Sequence, residues 1–176
     1  MAIIKTINNK TPVLGKECFL AENSVVTGNV VLGDYCSVWF NAVIRGDVNA
    51  IVIGDRVNIQ DGAIIHGSDE STPTSIGDGV TIGHNAIVHG CTVEDSVMIG
   101  MGAIVLDRAV VKSNSVVAAG AVVLENTVIE SGSLYAGIPA KKTKEFNEND
   151  LGAELKKVAD SYVKYSKIYE EVNPKA

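Results

Sequence analysis

Residues 58–90 read NIQDGAIIHGSDESTPTSIGDGVTIGHNAIVHG and contain every histidine of the 176-residue chain, at His66, His84 and His89. Aliphatic residues recur at every sixth position through this stretch and on both sides of it, with two insertions and one five-residue step. The series comprises Leu14, Leu20, Val26, Leu32, Val38, Ile44, Ile53, Ile59, Ile65, Ile76, Ile82, Val88, Val93, Ile99, Val105, Val111, Val117, Val123 and Ile129. This repeat is the framework in which the histidines must be placed.

A period of six residues fits neither an α-helix, which has 3.6 residues per turn, nor a simple strand alternation. It is explained by a coil of three short parallel strands, in which each hexapeptide forms one side of a triangular prism. The repeating aliphatic side chain fills an inner corner, and a small or β-branched residue four positions later packs above the turn. The pattern predicts a mainly β fold, a parallel β-helix of about six coils. An ordinary sandwich of irregular strands would not keep this register.

The period changes after Ala140. We therefore expect residues 1–140 to form a β-helix domain, and residues 141–176 to form a linker and a C-terminal amphipathic α-helix packed on the β-helix of its own or a neighbouring subunit. Asn147, followed by Asp150, is a suitable N-terminal cap for that helix. Its apolar stripe, spaced by three and four residues, comprises Leu151, Leu155, Val158, Tyr162, Tyr165, Tyr169 and Val172.

The composition argues against nucleic acids and membranes as partners. The net charge is −6 and basic residues do not cluster, which disfavours binding to anionic polymers or surfaces. No apolar run reaches the length of a membrane span, and the first residues lack the apolar core of a signal peptide. Three cysteines, an odd number, without an export signal indicate a reducing compartment. We therefore expect a cytoplasmic protein that acts on a small-molecule substrate.

Counting hexapeptides places the three histidines. Residues three hexapeptides apart lie on the same side of the prism in adjacent coils, about 4.8 Å apart. His66 and His89 each follow a repeat aliphatic directly and are three steps apart once the insertion at 69–75 is discounted, so we expect them to stack. His84 lies across a corner. One chain is not expected to bring all three rings within the roughly 3.5 Å nitrogen spacing that a shared zinc ion requires.

Two chains could complete such a site if a rotation axis brought the His84 corner of one against the His66–His89 side of the next. Because these two surfaces differ, the contact would be heterologous and would close as a ring. A three-sided prism favours a homotrimer with a metal site at each subunit interface. Zn²⁺ is the default metal for three imidazoles, with Fe²⁺ or Co²⁺ as alternatives. The spacing alone also allows the histidines to be packing residues, or one of them to be a lone catalytic base.

The same count places Arg45 directly below His66 and Asp61 directly below His84. If the two surfaces meet, Arg45 of one subunit would meet Asp61 of its neighbour in a charge-assisted pair. Asp47 would hold the Arg45 guanidinium in place. Each of these charges could instead be a solvated surface group, which is the more common situation for such residues.

The motifs IRGD at 44–47, NIQDGAIIH at 58–66 and HNAIVHG at 84–90 resemble those of the γ-class carbonic anhydrases and their relatives. The resemblance implies a trimer of left-handed parallel β-helices with a metal ion at each subunit interface. It implies the following roles: His66 and His89 of one subunit and His84 of the next as metal ligands; Arg45, Asp47 and Asp61 as an interface network; and Gln60, Tyr135 and Asn58 beside the metal-bound water.

The resemblance further implies a metal-dependent hydratase that converts carbon dioxide to bicarbonate through a metal-bound hydroxide. A metal with three imidazole ligands keeps a fourth position open and lowers the pKa of its water to about 7. The best-characterised active members of that family carry a glutamate after the RxD motif and a long acidic loop, which pass protons to solvent. Here Val48 stands after that motif, and the loop at 67–75 has only Asp69 and Glu70 as acids. We therefore expect slow hydration, unless Asp69, Glu70 or Tyr135 moves the proton.

Two other functions stay open from the sequence. The first is a coenzyme A-dependent acyltransferase, in which one histidine is the general base and no metal is needed. A thioesterase-like enzyme, in which the metal-bound hydroxide attacks a thioester or similar carbonyl, is a variant of the hydratase with the same chemistry. The segment SLYAGIPAK at 133–141 also occurs in such transferases and does not discriminate. The second is a non-catalytic trimeric scaffold that uses metal only for assembly. Three histidines, where a transferase needs one, favour the hydratase.

Overall fold

The computed structural model describes residues 1–68 and 71–172, with side chains as far as Tyr169 in the C-terminal segment. Asp69 and Glu70, considered above for proton transfer, lie outside the described residues, and so does the side chain of Val172.

The described chain is built from short strands followed by a C-terminal helix. In chain order these elements are β1 (Ile3–Lys5), β2 (Val13–Leu14), β3 (Phe19–Leu20), β4 (Val25–Leu32), β5 (Ser37–Val38), β6 (Val43–Ile53), β7 (Asn58–Ile59), β8 (Ile64–His66), β9 (Thr74–Ile76), β10 (Thr81–Ile82), β11 (Ile87–His89), β12 (Thr92–Val93), β13 (Met98–Ile99), β14 (Ile104–Val105), β15 (Val110–Val111), β16 (Val116–Val117), β17 (Val122–Val123), β18 (Val128–Ile129), β19 (Ser133–Ala136), β20 (Lys141–Glu145) and α1 (Glu148–Val172).

Parallel pairing stacks these strands into the three sides of a prism. The histidine side consists of β1, the first halves of β4 and β6, β8, β11, β14 and β17. The valine side consists of β2, the second halves of β4 and β6, β9, β12, β15 and β18. The helix side consists of β3, β5, β7, β10, β13, β16 and β19. The result is a parallel β-helix of about seven turns. The predicted fold class is confirmed, with about one turn more than predicted because β1 and β19 lie before and after the predicted aliphatic series.

The repeating aliphatic residues form the core, as predicted. From Val26 to Ile129 each of them is 2% exposed or less. Leu14 and Leu20 are only partly buried, because the first coil has no coil below it. The small residues four positions later are also inside, since Ala63, Ala86 and Ala103 have no exposed surface. Each inward branched side chain therefore lies on those of the coils above and below, and little free volume is left.

A left-handed residue closes each turn at the corner between the helix side and the histidine side. This column comprises Asn23, Asn41, Gly62, Asn85, Gly102 and Gly120, all with positive φ. At Gly62 the φ is +70°, and a Cβ atom there would lie 2.2 Å from Oδ1 of Asn85 in the next coil. Glycine therefore suits this position, because any other residue would have to adopt a strained φ and push the Asn85 side chain aside. Asp61 and His84 directly precede Gly62 and Asn85, so this tight corner carries both side chains.

The segment after Ala140 differs from the predicted linker. Residues 141–145 form β20, which pairs antiparallel with β19 at the end of the helix side. Helix α1 then begins as predicted, because Asn147 Oδ1 accepts hydrogen bonds from the backbone N–H groups of Asn149, at 3.0 Å, and Asp150, at 3.2 Å.

Helix α1 lies along the helix side of its own chain, against β3, β5, β7 and β10. Ala159 and Ser166 are buried there, whereas Tyr165 of the predicted stripe is half exposed, because small side chains allow the helix to approach the strands. Trp39 anchors the contact, with its ring centroid 5.7 Å from that of Tyr162 and 5.2 Å from that of Tyr169. Among the described residues, no helix has both the length and the apolar character that crossing a bilayer requires.

Candidate metal centre

His66 and His89 lie side by side on the histidine side. They pair in register between β8 and β11, so the predicted stacking is confirmed. His66 Nδ1 is 3.2 Å from His89 Nε2, and the ring centroids are 5.2 Å apart. The inward alternation of Ile65 and Val88 turns both imidazoles outward, away from the core.

An aspartate holds the other ring nitrogen of each histidine. Asp47 Oδ1 is 3.1 Å from His66 Nε2, and Asp107 Oδ1 is 2.6 Å from His89 Nδ1. An ionised carboxylate only accepts hydrogen bonds, so these two ring nitrogens must carry the hydrogens. A neutral imidazole has one N–H group. The lone pairs of His66 Nδ1 and His89 Nε2 therefore face each other.

This donor pair fits a metal ion. Two ligand nitrogens on one tetrahedral zinc ion, each about 2.0–2.1 Å from it, are roughly 3.3–3.4 Å apart, and the observed separation of the two nitrogens is 3.2 Å. Burial lowers the pKa of His66, and this outweighs the opposing hydrogen bond with Asp47. The neutral, metal-binding form of the ring is thereby favoured.

The carboxylates that hold the rings stay ionised. Burial raises the pKa of Asp47, but hydrogen bonds from Arg45 and His66 outweigh it and bring the pKa below its usual range. Burial likewise raises the pKa of Asp107, and hydrogen bonds from Ser68 and His89 reverse the effect. Each aspartate is therefore a hydrogen-bond acceptor toward its imidazole near neutral pH.

His84 occupies the corner between the helix side and the histidine side. Its Nδ1 is 2.8 Å from Asp61 Oδ2, which leaves Nε2 as the nitrogen that can act as a ligand. The ring borders a cleft of about 230 Å³, whose other lining residues are Trp39, Phe40, Asp61, Tyr162, Tyr165 and Tyr169. Within one chain, the described residues contain no group of three histidine, cysteine or acidic side chains close enough together to hold a metal. His84 therefore does not complete the His66–His89 pair of its own chain.

Arg45 has a partner in its own chain. The pairing of Ile44 with Ile65 puts it one strand below His66, as predicted, and its Nη1 donates to Asp47 Oδ2 at 2.6 Å. Asp47 thus links Arg45 to His66, while Asp61 is engaged by His84. The contact between Arg45 and Asp61 of a neighbouring subunit stays a prediction about the assembly.

Gln60 and Asn58 are buried on the helix side, Asn58 in β7 and Gln60 directly after it. Gln60 Nε2 donates to Asn58 Oδ1 at 3.0 Å, and Asn58 Nδ2 donates to Thr81 Oγ1 at 2.8 Å. Gln60 precedes Asp61, so this amide pair adjoins the corner of His84. Tyr135 is three coils from Ile82 along the helix side, about 14 Å along the axis. Within one chain the structure does not bring Tyr135 to the histidines, and the roles of these three residues stay predictions.

Asp107 is the site residue that sequence reasoning missed. It lies in the coil above His89, whereas Arg45 and Asp61 lie in the coils below the histidines. Val105 pairs with Val88 in that coil, and Asp107 follows Val105 by two residues. The count would have put Asp107 near His89, although it could not have shown that the carboxylate turns toward the ring.

Comparisons with known proteins agree with the repeat. Residues 11–46 match the family model described as bacterial transferase hexapeptide (six repeats), and residues 73–107 match the hexapeptide repeat of succinyl-transferase. A hexapeptide transferase family protein from Anaplasma phagocytophilum has a similar structure, with a TM-score of 0.89 and 36% identity over 95% of this chain and 98% of that one. An N-acyltransferase from Bacillus cereus, at 15% identity and a TM-score of 0.68, shares the fold. The chain is therefore a hexapeptide-repeat β-helix protein.

Two relatives define the family more narrowly. A carbonic anhydrase from Geobacillus kaustophilus is 41% identical over 95% of this chain and 91% of its own length. The mitochondrial γ carbonic anhydrase 2 of Arabidopsis thaliana is 39% identical over 98% of this chain and 64% of its own length. The chain belongs to the γ-carbonic anhydrase-like family of left-handed hexapeptide-repeat proteins.

Proposed function

We propose that this protein is a metal-dependent hydratase that converts carbon dioxide to bicarbonate, at sites formed between the subunits of a homotrimer. The observation that carries the proposal is the pair of facing nitrogens, His66 Nδ1 and His89 Nε2, at 3.2 Å. The carbonic anhydrase relatives, similar over nearly the whole chain, support the same reaction. In the assembly, His66 and His89 of one subunit and His84 of the partner subunit would hold the metal.

The metal would be Zn²⁺, with Fe²⁺ or Co²⁺ as alternatives. A bound Zn²⁺ supplies a Lewis acid that lowers the pKa of a coordinated water to about 7. The chain's own residues prepare the site for it. Asp47, Asp61 and Asp107 each hold one ring nitrogen of a histidine and direct the other nitrogen toward the metal position. The aromatic cleft beside His84 offers an apolar approach for a small uncharged substrate.

An acyltransferase with a histidine base is the second candidate, since hexapeptide transferases share the fold. In the Asp107–His89 pair the carboxylate accepts a hydrogen bond from Nδ1 and orients the ring, as in a histidine that acts as a general base. However, its basic nitrogen, Nε2, faces His66 at 3.2 Å instead of an open cleft. This arrangement favours a metal ligand over a base that must reach a substrate.

Metal content and both activities should be measured on one preparation. We expect about one divalent metal per subunit, carbon dioxide hydration that is lost with a chelator and recovered with Zn²⁺, and no acetyl transfer from acetyl-coenzyme A. A metal-free protein that transfers acetyl groups would overturn the proposal. A metal-loaded trimer without either activity would support the scaffold instead.

Removing Arg45 should weaken the trimer. If Arg45 meets Asp61 of the next subunit and the interface buries the pair, Arg45→Ala leaves that carboxylate with His84 as its one remaining partner, at a cost of about 3–5 kcal/mol in the free energy of association. Sedimentation of a dilution series should show dissociation at higher protein concentration. Arg108→Ala is the matched control, because Arg108 is 48% exposed, close to the 47% of Arg45, and forms an ion pair with Glu125 at 2.7 Å. If both variants stay trimeric on dilution, the proposed Arg45–Asp61 contact is wrong.

Proton export should limit the rate of hydration. Val48, which is 43% exposed on β6 near Asp47, offers no proton acceptor. We expect the turnover number to rise with imidazole buffer concentration, and Val48→Glu to raise it in weak buffer. Val52→Glu is the control, because Val52 is 50% exposed on the valine side of the same strand. Rapid, buffer-independent turnover of the unaltered protein would mean that another group carries the proton.

A further inference from the structure

The carboxylate of Asp107 connects the two stacked histidine strands. Its Oδ1 accepts a hydrogen bond from His89 Nδ1 at 2.6 Å, and its Oδ2 accepts one from Ser68 Oγ at 2.6 Å. Ser68 lies two residues after His66. The Asp107 side chain is 14% exposed and that of His89 is 27% exposed, so the contact is shielded from competing water.

The backbone around His89 leaves room for this carboxylate. Gly90 has a φ of +53°, and a Cβ atom there would lie 2.3 Å from Asp107 Oδ1. Any other residue after His89 would therefore displace the carboxylate from the ring. The backbone N–H of Arg108 donates to the Gly90 carbonyl oxygen at 2.7 Å, which ties the residue after Asp107 to the coil of His89.

The contact selects one tautomer of His89. A neutral imidazole carries its hydrogen on Nδ1 or on Nε2, and an acceptor at 2.6 Å from Nδ1 stabilises the first form. In that form the Nε2 lone pair points at His66 Nδ1. In the other form the hydrogen on Nε2 would point toward His66 Nδ1, 3.2 Å away, and Nε2 would have no free lone pair for a metal ion.

We infer that Asp107 is a positioning residue that sets the tautomer and orientation of His89 for metal binding, and that Ser68 fixes the Asp107 carboxylate. The part concerning metal affinity rests on the proposed function, in which His66 and His89 are ligands. The part concerning the tautomer does not, because it applies to the metal-free protein as well.

The test uses Asp107→Ala with Asp107→Asn as the conservative variant, since an amide oxygen can still accept the Nδ1 hydrogen. Ring ¹⁵N chemical shifts in the metal-free protein report the tautomer, and competition with a chromophoric chelator reports the affinity for Zn²⁺. We expect Asp107→Ala to lose the Nδ1–H form of His89 and to bind Zn²⁺ roughly 10- to 100-fold more weakly. Asp107→Asn should recover the tautomer and most of the affinity.

Asp95→Ala is the control for loss of a carboxylate that bridges two coils. Asp95 Oδ1 accepts a hydrogen bond from the backbone N–H of Asp78 at 2.8 Å, and among the described residues Asp95 forms no hydrogen bond or ion pair with a histidine. The Asp95→Ala substitution should leave the tautomer of His89 and the Zn²⁺ affinity unchanged. An equal loss of affinity in Asp95→Ala would show a general structural effect and overturn the inference.

Ser68→Ala keeps the test decisive if Asp107→Ala does not fold. It removes only the hydroxyl that holds Oδ2, and it should weaken Zn²⁺ binding in the same direction by a smaller factor. Unchanged ring shifts and unchanged affinity in the folded Asp107 and Ser68 variants would overturn the inference and leave the proposed function standing. A wild-type protein that binds no Zn²⁺ would overturn the proposed function, while the ring shifts would still test the role of Asp107.

Discussion

A randomly assembled mixture of His66→Ala and His84→Ala subunits should bind metal at about one quarter of its sites, although each variant alone should bind none. The first variant keeps an intact His84, and the second keeps the intact His66–His89 pair. A working site forms wherever the pair of one chain meets the His84 of the other, which random assembly provides for about one interface in four. The physical reason is that the pair and His84 lie at different places in one chain, with no three-ligand group among the described residues.

The experiment would co-refold the two variants in equal amounts and measure zinc per subunit and hydratase activity. A mixture of His66→Ala with His89→Ala is the matched control. Both of those variants break the same pair, so no combination of their chains restores a site. Recovery in the control, or no recovery in the His66→Ala and His84→Ala mixture, would contradict ligands that are split between two subunits.

Truncating the core at Ile82 should destabilise the protein by about 2–5 kcal/mol, through lost burial and the cavity that remains. Ile82 has no exposed surface and lies in register between Ile59 and Ile99 of the adjacent coils. Because all coils share one continuous column of side chains, a void in one coil also removes contacts from its two neighbours.

Chemical denaturation of Ile82→Ala, at a fixed subunit concentration, should show a lower midpoint with little change in slope. Ile168→Ala on helix α1 is the control, because Ile168 is 56% exposed. That change should alter the free energy of unfolding by less than about 0.5 kcal/mol. Equal effects of the two substitutions would mean that the inward columns do not carry the stability of the β-helix.

Much of the fold could be predicted by counting residues along the six-residue repeat. In a β-helix the sequence separation of two residues decides both their side and their coil, and the aliphatic repeat keeps that register over the whole prism. The stacking of His66 on His89 and the position of Arg45 below His66 followed from this count. The antiparallel strand β20 did not, because it lies beyond the repeat and pairs with β19 through a turn of its own.

The amino-acid sequence by itself determined the six-residue period, the inward columns and the coil in which each histidine lies, because hydrogen-bonded parallel coils allow only one register for the buried aliphatics. The tertiary structure decided which side chains meet. Asp61 turns to His84 and Asp107 to His89, and these contacts depend on corner geometry and side-chain rotamers that a residue count does not contain. The aromatic cleft also depends on the tertiary structure, because Tyr162 contacts Trp39 only when helix α1 packs on the helix side of the prism.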